Sequence, residues 1–362
     1  MHTRVSRWAA VGTALAVVLT LASCGGDDSG GGDGGGDAGD GSGEVSGTLR
    51  IFAYVDAFDP DVFDPFLNQY PDLDVQKAEI AGDTEAVAKL KGGFETDIVN
   101  TCAGPVDQEI EDGSLQPIDT SRIDDWDEIY PFFKQVKGVD VDGETFMLPL
   151  VGGAYGLIYR PSAFDTPPTS WMDLYTADVR VATPDDPLTN IIAAGLALGY
   201  LPPQDMTPEQ LAEVKDLLVE QKSRVASYYT GAAVSTLWKN GEVDLVPQDV
   251  TLIGEVDGED IAFAPMETPL AWTCGYALAS SAENLDAAYA FLNYALSPTV
   301  QTVQAEKFSY LVSNQASAAE LSPEVREVSG QDNVEGYRDS ATFDSPADID
   351  AWTSLWQEVK AS

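Results

Sequence analysis

The sequence predicts an α/β fold of two lobes, with mixed sheets flanked by helices. Three observations lead there. Residues 47–100 alternate strand-like and helix-like segments, a rhythm that packs helices on a sheet and brings ligands to the carboxyl ends of strands. Strand-like runs around Gly152-Gly153, and again at Trp272–Ala279, read as segments that cross between lobes and return. Residues 47–362 are also enough chain for two cores.

Taken in order, Gly47–Tyr54 is a short strand, Asp64–Tyr70 a helix, Leu73–Ile80 a second strand and Thr84–Lys91 a helix. Asp97–Asn100 is a buried-type strand, followed by the turn residues Gly104-Pro105. Thr145–Val151 and Ala154–Tyr159 are two strands around the glycine pair. Val179–Thr183 runs into Pro184-Asp185-Asp186-Pro187, where Asp186 suits an N-cap and Pro187 the first helical position. That helix passes through Ile191, Ala194 and Leu198, and Gly199 stops it.

Thr207-Pro208-Glu209-Gln210 has capping-box spacing and opens a helix towards Lys222. Glu242–Val246 and Ile261–Pro265 read as strands, and Trp272–Ala279 as the return strand. Leu285–Leu296 is helical up to Ser297-Pro298. The last helix, Ile349–Lys360, carries Trp352 and Trp356 at i,i+4 spacing, which suits a core face better than a ligand site. No internal repeat is evident.

The first 46 residues carry a different message. His2, Arg4 and Arg7 precede the uncharged run Trp8–Ala22, which is shorter than the roughly 20 residues of a membrane-spanning helix. The run ends in Leu21-Ala22-Ser23-Cys24, the pattern of a lipoprotein signal peptide whose Cys24 becomes the acylated N-terminus. Residues 25–46 then form a Gly/Asp/Ser tether with too little apolar surface to offset its ordering entropy. Such a coil spans roughly 25 Å end to end. The expected location is the extracytoplasmic face of the cell membrane, with the lipid as sole anchor.

Composition narrows the function. The chain has 60 acidic and 19 basic residues and a formal net charge of −41. Nucleic-acid binding, which needs clustered Lys and Arg, is excluded. The acidity could concentrate cations near the protein, or it could simply solvate the surface. The one histidine, His2, falls in the signal segment, so a mature chain would lack Ser-His-Asp and Cys-His mechanisms and imidazole metal sites. No cofactor is expected. With Cys24 acylated, Cys102 and Cys274 remain, an even pair that outside the cytoplasm suggests a disulfide.

Several segments taken together resemble a known family: Leu49–Tyr54, Asp97-Ile98-Val99, Leu148–Gly156, Pro168-Thr169-Ser170-Trp171-Met172-Asp173-Leu174, Asn240-Gly241-Glu242-Val243 and Trp272–Leu278. In this order and spacing they resemble the extracellular solute-binding proteins of ABC importers, most of all the spermidine/putrescine-binding branch. The resemblance covers nearly all of residues 47–362. It implies a type II periplasmic-binding-protein fold, with two lobes closing on a ligand about a hinge. It also implies delivery of the ligand to a membrane permease by a monomer, with no bond made or broken. The expected division is 47–150 plus 272–316 for the first lobe and 151–271 plus 317–362 for the second.

The resemblance also assigns a pocket in which carboxylates pair with ammonium groups and aromatic rings hold the methylene chain. Asp186 matches the acid after the second-lobe strand, in competition with its role as helix cap. Trp272 matches the aromatic that opens the return strand. Asp56 and Phe58 partly replace an aromatic and acidic cluster after the first strand. Gln248-Asp249 stand near a tryptophan position, and Tyr54, Thr101 and Tyr155 complete the candidate set.

Cys102 falls on a pocket serine position and Cys274 on a pocket acid, so the resemblance implies a Cys102–Cys274 disulfide at the cleft. A neutral bridge there points to a ligand smaller or less charged than spermidine. A small amine is the favoured ligand, with a neutral solute as the variation on this scaffold. Ferric iron is a further alternative, for which Tyr228-Tyr229 supplies a tyrosine pair, though before rather than after the Asn240–Val243 segment. A secreted carboxylate hydrolase using a pair such as Asp124-Asp125 stands behind these, in a stretch that reads as solvated surface. A sensor or adhesion role on the same scaffold also stays open.

Overall fold

A computed structural model describes residues 45–362, apart from 232, 257 and 265. The expected signal peptide, Cys24 and the tether up to residue 44 lie outside the described residues. No helix among the described residues is long and apolar enough to cross a membrane.

The chain opens with β1 (Gly47–Ala53), α1 (Pro60–Gln69), β2 (Leu73–Glu79), α2 (Asp83–Lys91), β3 (Ile98–Cys102), α3 (Val106–Glu111) and β4 (Leu115–Gln116). The long strand β5 (Leu148–Tyr159) leads into α4 (Asp173–Thr176), β6 (Val181–Pro184), α5 (Pro187–Ala197) and α6 (Pro208–Lys222). Then come β7 (Val225–Tyr229), α7 (Ala233–Lys239), β8 (Leu245–Asp249), α8 (Thr251–Glu255), β9 (Ala262–Ala264) and β10 (Leu270–Ala279). The chain ends with α9 (Leu285–Leu296), α10 (Pro298–Phe308), β11 (Leu311–Val312), α11 (Gln315–Glu320), α12 (Pro323–Ser329), β12 (Ala341–Thr342) and α13 (Ile349–Ala361).

The strands join in the order β2-β1-β3-β10-β5-β8-β6-β7. β1 pairs in parallel with β2 and β3, and β6 in parallel with β7 and β8, so each lobe has its own α/β unit. The antiparallel pair β5 and β10 runs through both and is the crossing expected from the sequence. Some bounds shift: α1 begins at Pro60, four residues before the expected Asp64, behind its cap Asp59, and β8 is Leu245–Asp249 rather than Glu242–Val246. The crossing changes in kind. The two strands around Gly152-Gly153 are a single strand, because the glycines make room rather than a turn. A Cβ on Gly152 would lie 2.8 Å from the Trp272 carbonyl oxygen, and one on Gly153 would lie 2.8 Å from Trp272 Nε1.

Local signals hold α5 and α6 where expected. Asp186 caps α5, its carboxylate accepting the Thr189 amide at 2.7 Å. Thr207 and Gln210 close the capping box of α6. Each lobe has one large core. The first gathers Phe63, Phe66, Phe133 and Phe291, and the second Ile191, Val214, Trp352 and Trp356. The pair Trp352 and Trp356 is thus core, as its spacing suggests. Ala318, Leu321 and Val334 pack in the first core, whereas Ala341 and α13 pack in the second. The final change of lobe therefore falls between Val334 and Ala341, later than the division expected after residue 316, because apolar side chains of α11 and the loop beyond it face the first lobe.

Candidate functional site

Between the lobes lies a cleft of about 1340 Å³. Its polar residues stand at strand ends, where backbone pairing stops and side chains are free to face a ligand. Tyr54 and Asp56 follow β1, Cys102 ends β3, Asp186 follows β6, and Asp249 ends β8. Trp272 and Cys274 come from β10, and Tyr155 from β5. Three lining residues that the sequence reading did not name join them: Asp83 at the start of α2, Gln304 on α10 and Tyr310 after it.

The aromatic wall is built by packing. Trp272 and Tyr310 meet edge to face, with ring centroids 5.3 Å apart. Tyr155 meets Phe343 in the same way at 4.9 Å, and its hydroxyl donates to the Pro247 carbonyl at 2.8 Å. The Trp272 indole N–H and the Gln304 side-chain oxygen are buried without a partner among the described residues.

The carboxylates are held by uncharged donors. Tyr310 donates its hydroxyl to Asp56 at 3.0 Å, and Tyr54 donates to Asp83. The Thr251 amide donates to Asp249 at 2.9 Å, and the Thr189 amide to Asp186. Burial pushes the Asp56 and Asp249 carboxyls above the usual carboxylate range, with Asp59 and Glu255 respectively adding like charge. Asp83 is open to the cleft but enclosed by protein elsewhere; that enclosure raises its carboxyl, and the charge of Asp186 across the cleft adds to it. Desolvation and the neighbouring carboxylates also hold the Tyr54, Tyr155 and Tyr310 phenols well above their ordinary range.

Cations on the cleft wall are engaged elsewhere: Lys91 with Asp112, Lys137 with Asp107 and Asp344, and Arg338 with Glu335. Asp56, Asp83, Asp186 and Asp249 are left without an ion pair among the described residues. Such a group lowers its energy by admitting a cation, since opposite charge restores what burial takes away.

Three expected residues sit off the cleft. Thr101 is 2% exposed and donates to Glu109 Oε2 at 2.7 Å, because strand alternation turns it away from the face of Asn100 and Cys102. Gln248, one step from Asp249 on β8, is turned away for the same reason, and its side-chain oxygen accepts the Asp249 amide at 3.1 Å. Phe58 packs edge-on against Phe63 at 5.4 Å, in the first core. Neither Tyr228 nor Tyr229 lines the cleft: Tyr228 packs on Trp356, and Tyr229 donates to the Pro247 carbonyl at 3.1 Å. Asp124 and Asp125 also lie away from it.

Cys102 and Cys274 are register partners on β3 and β10, and both line the cleft. Their sulfurs are 1.97 Å apart, at bonding distance.

The comparisons agree with this architecture. The putrescine-binding periplasmic protein of Escherichia coli is 24% identical over 310 residues, 78% of this chain and 82% of its own. The spermidine/putrescine ABC transporter substrate-binding protein of Streptococcus pneumoniae superposes with a TM-score of 0.74 at 21% identity, over 87% of this chain and 99% of that one. A binding protein of A. tumefaciens in complex with glucopine has the same fold, with a TM-score of 0.69 at 19% identity over 86% and 99% of the two chains. Residues 61–329, most of both lobes, match the family described as bacterial extracellular solute-binding protein. Two α/β lobes on a shared crossing, with polar side chains gathered at the strand ends between them, are the form of that family, and this chain belongs to it.

Proposed function

We propose that this protein captures a small organic amine outside the cytoplasmic membrane, of the putrescine and polyamine class, and hands it to an ABC permease. The observation that carries the reading is the set of Asp56, Asp83, Asp186 and Asp249 around one cleft, none paired with a cation among the described residues. The rings of Trp272, Tyr310, Tyr54 and Tyr155 supply faces for the methylene chain between ammonium groups. The E. coli and S. pneumoniae relatives named for putrescine and spermidine support it. Acylation at Cys24, with residues 25–46 as tether, would keep the monomeric body at the membrane surface.

The test is a thermal-shift and calorimetric screen against putrescine, spermidine, amino acids, sugars and ferric citrate. An amine at 100 times its dissociation constant adds about 2.7 kcal/mol of stability, which moves the midpoint by several degrees. Response to sugars or other neutral solutes alone would overturn the amine and keep a binding protein. That second reading is favoured by one observation: the uncharged Cys102–Cys274 pair occupies part of the cleft wall.

A further inference from the structure

Beside the crossing strands, where the chain changes lobe for the last time, a cation bridges the two lobes. Lys137 Nζ lies 3.1 Å from Asp107 Oδ2 and 3.1 Å from Asp344 Oδ2. Lys137 and Asp107 belong to the first lobe. A Cβ on Gly138 would lie 2.6 Å from a Val106 methyl, and Val139 is buried in a first-lobe cluster. Asp344 belongs to the second. It ends a strap, residues 340–344, whose Thr342 carbonyl accepts from Gln204 Nε2 at 2.5 Å and whose Phe343 packs on Tyr155. The other oxygen of Asp344 is buried without a partner among the described residues, so Lys137 is the group that compensates this carboxylate.

A second contact crosses at the same place. Gly104, just after β3, lies so close to the strap that a Cβ on it would come within 2.7 Å of the Phe343 carbonyl oxygen. Both contacts join residues of opposite lobes. Opening the cleft takes Asp344 away from Lys137 and leaves the lysine with Asp107 alone.

We infer that Lys137 is an electrostatic latch, a positioning residue that draws the 340–344 strap of the second lobe onto the first and holds the cleft shut. This goes beyond the amine reading and does not depend on which solute is bound. The ammonium is partly solvated, its side chain 43% exposed, so the latch is modest and sensitive to salt. A modest bias suffices, because open and closed forms of a hinged protein differ by only a few kcal/mol.

Hydrogen exchange on the ligand-free protein tests the latch. Lys137→Met keeps the aliphatic stem and removes the charge. Amides of residues 340–344 should exchange about 3- to 10-fold faster in this variant at low salt, and the difference should shrink in about 0.5 M salt as the pair is screened. Gly104→Ala wedges the same contact by bulk and should speed exchange in the strap without that salt response. Amides of β1 and α5 should be unchanged in both variants, which separates unlatching from unfolding. Equal strap protection in wild type and Lys137→Met at low salt would overturn the latch.

Stopped-flow release of putrescine, read by tryptophan fluorescence, adds an independent arm. Faster release from Lys137→Met with an unchanged association rate supports the latch. Equal release rates in the two proteins count against it. Failure of the wild type to bind putrescine counts against the amine reading and leaves the exchange result to decide the latch.

Discussion

Asp186 and Thr189 are joined by a 2.7 Å hydrogen bond that gives one carboxylate two duties: it caps α5, and it presents negative charge to the cleft. The duties separate by substitution. Asparagine caps a helix about as well as aspartate, so Asp186→Asn should leave the melting midpoint within about 0.5 kcal/mol of wild type. The same variant should bind a diamine at least about 10-fold more weakly, since truncating one partner of a desolvated charge pair costs about 2–5 kcal/mol. Asp186→Ala should lose the affinity and about 1 kcal/mol of stability as well. Paired calorimetry and thermal denaturation of the two variants read both effects. Equal loss of stability in both would assign Asp186 to the helix alone.

Gly153 and Trp272 make a second such pair, of shape rather than charge. The space a Cβ would need on Gly153 is filled by the indole ring, whose Nε1 would be 2.8 Å away. Gly153→Ala should therefore push Trp272 towards the cleft and against Tyr310, changing the tryptophan emission of the ligand-free protein. Its cost in stability should be about 1–3 kcal/mol, the usual range for overpacking a filled site. Ligand affinity should fall with it. An unchanged emission spectrum would show that the ring has room to absorb the methyl group.

Much of the fold was legible in the sequence because its signals are local. Strand alternation around Leu49 and Ile98, the cap at Asp186 and the capping box at Thr207 each act within a few residues. β5 was misread because Gly152-Gly153 looks like a turn to any local rule, while its cause, Trp272, lies far along the chain. The late change of lobe was missed because nothing near Ala318 or Leu321 states which core it will enter.

The cleft was partly legible for a related reason. Tyr54, Asp56, Asp186 and Asp249 follow strand ends, where an α/β fold places its ligand residues. Thr101 and Gln248 were each one residue off, and on a strand one residue reverses the face. Asp83, Gln304 and Tyr310 enter from a helix start, a helix face and a loop. They meet only when the tertiary fold is complete.

The Cys102–Cys274 pair closes a segment with a sequence separation of 172. A cross-link over so long a loop removes much of the freedom of the unfolded chain, and its loss commonly costs about 2–5 kcal/mol. Cys102→Ser with Cys274→Ser should lower the melting midpoint by several degrees, and reductant should do the same to wild type but not to the double variant. Intact mass after alkylation should show both thiols blocked until the protein is reduced. Free thiols in the native protein would remove the bridge and its stabilisation together.

Glu109 should give the protein an unusual response to pH. It is 1% exposed, accepts one hydrogen bond from Thr101, and has its other carboxyl oxygen buried without a partner among the described residues. Burial, with the charge of Asp83 adding to it, pushes the carboxyl up to about 7, while the Thr101 hydroxyl pulls the other way. In the unfolded chain the group titrates near 4.3, as an ordinary glutamate does. The folded state therefore holds the proton more tightly. Its contribution is fully present below about pH 4.3, declines as pH rises through 7, and is gone above that. Glu109→Gln keeps an acceptor for Thr101 and removes the titration. The variant should match wild type near pH 4 and exceed it at pH 8 by about 3–4 kcal/mol, since a rise from 4.3 to about 7 is worth about 1.4 kcal/mol for each pKa unit. Denaturant titrations at the two pH values measure the difference. A constant offset between the proteins at both would show that Glu109 does not carry this proton.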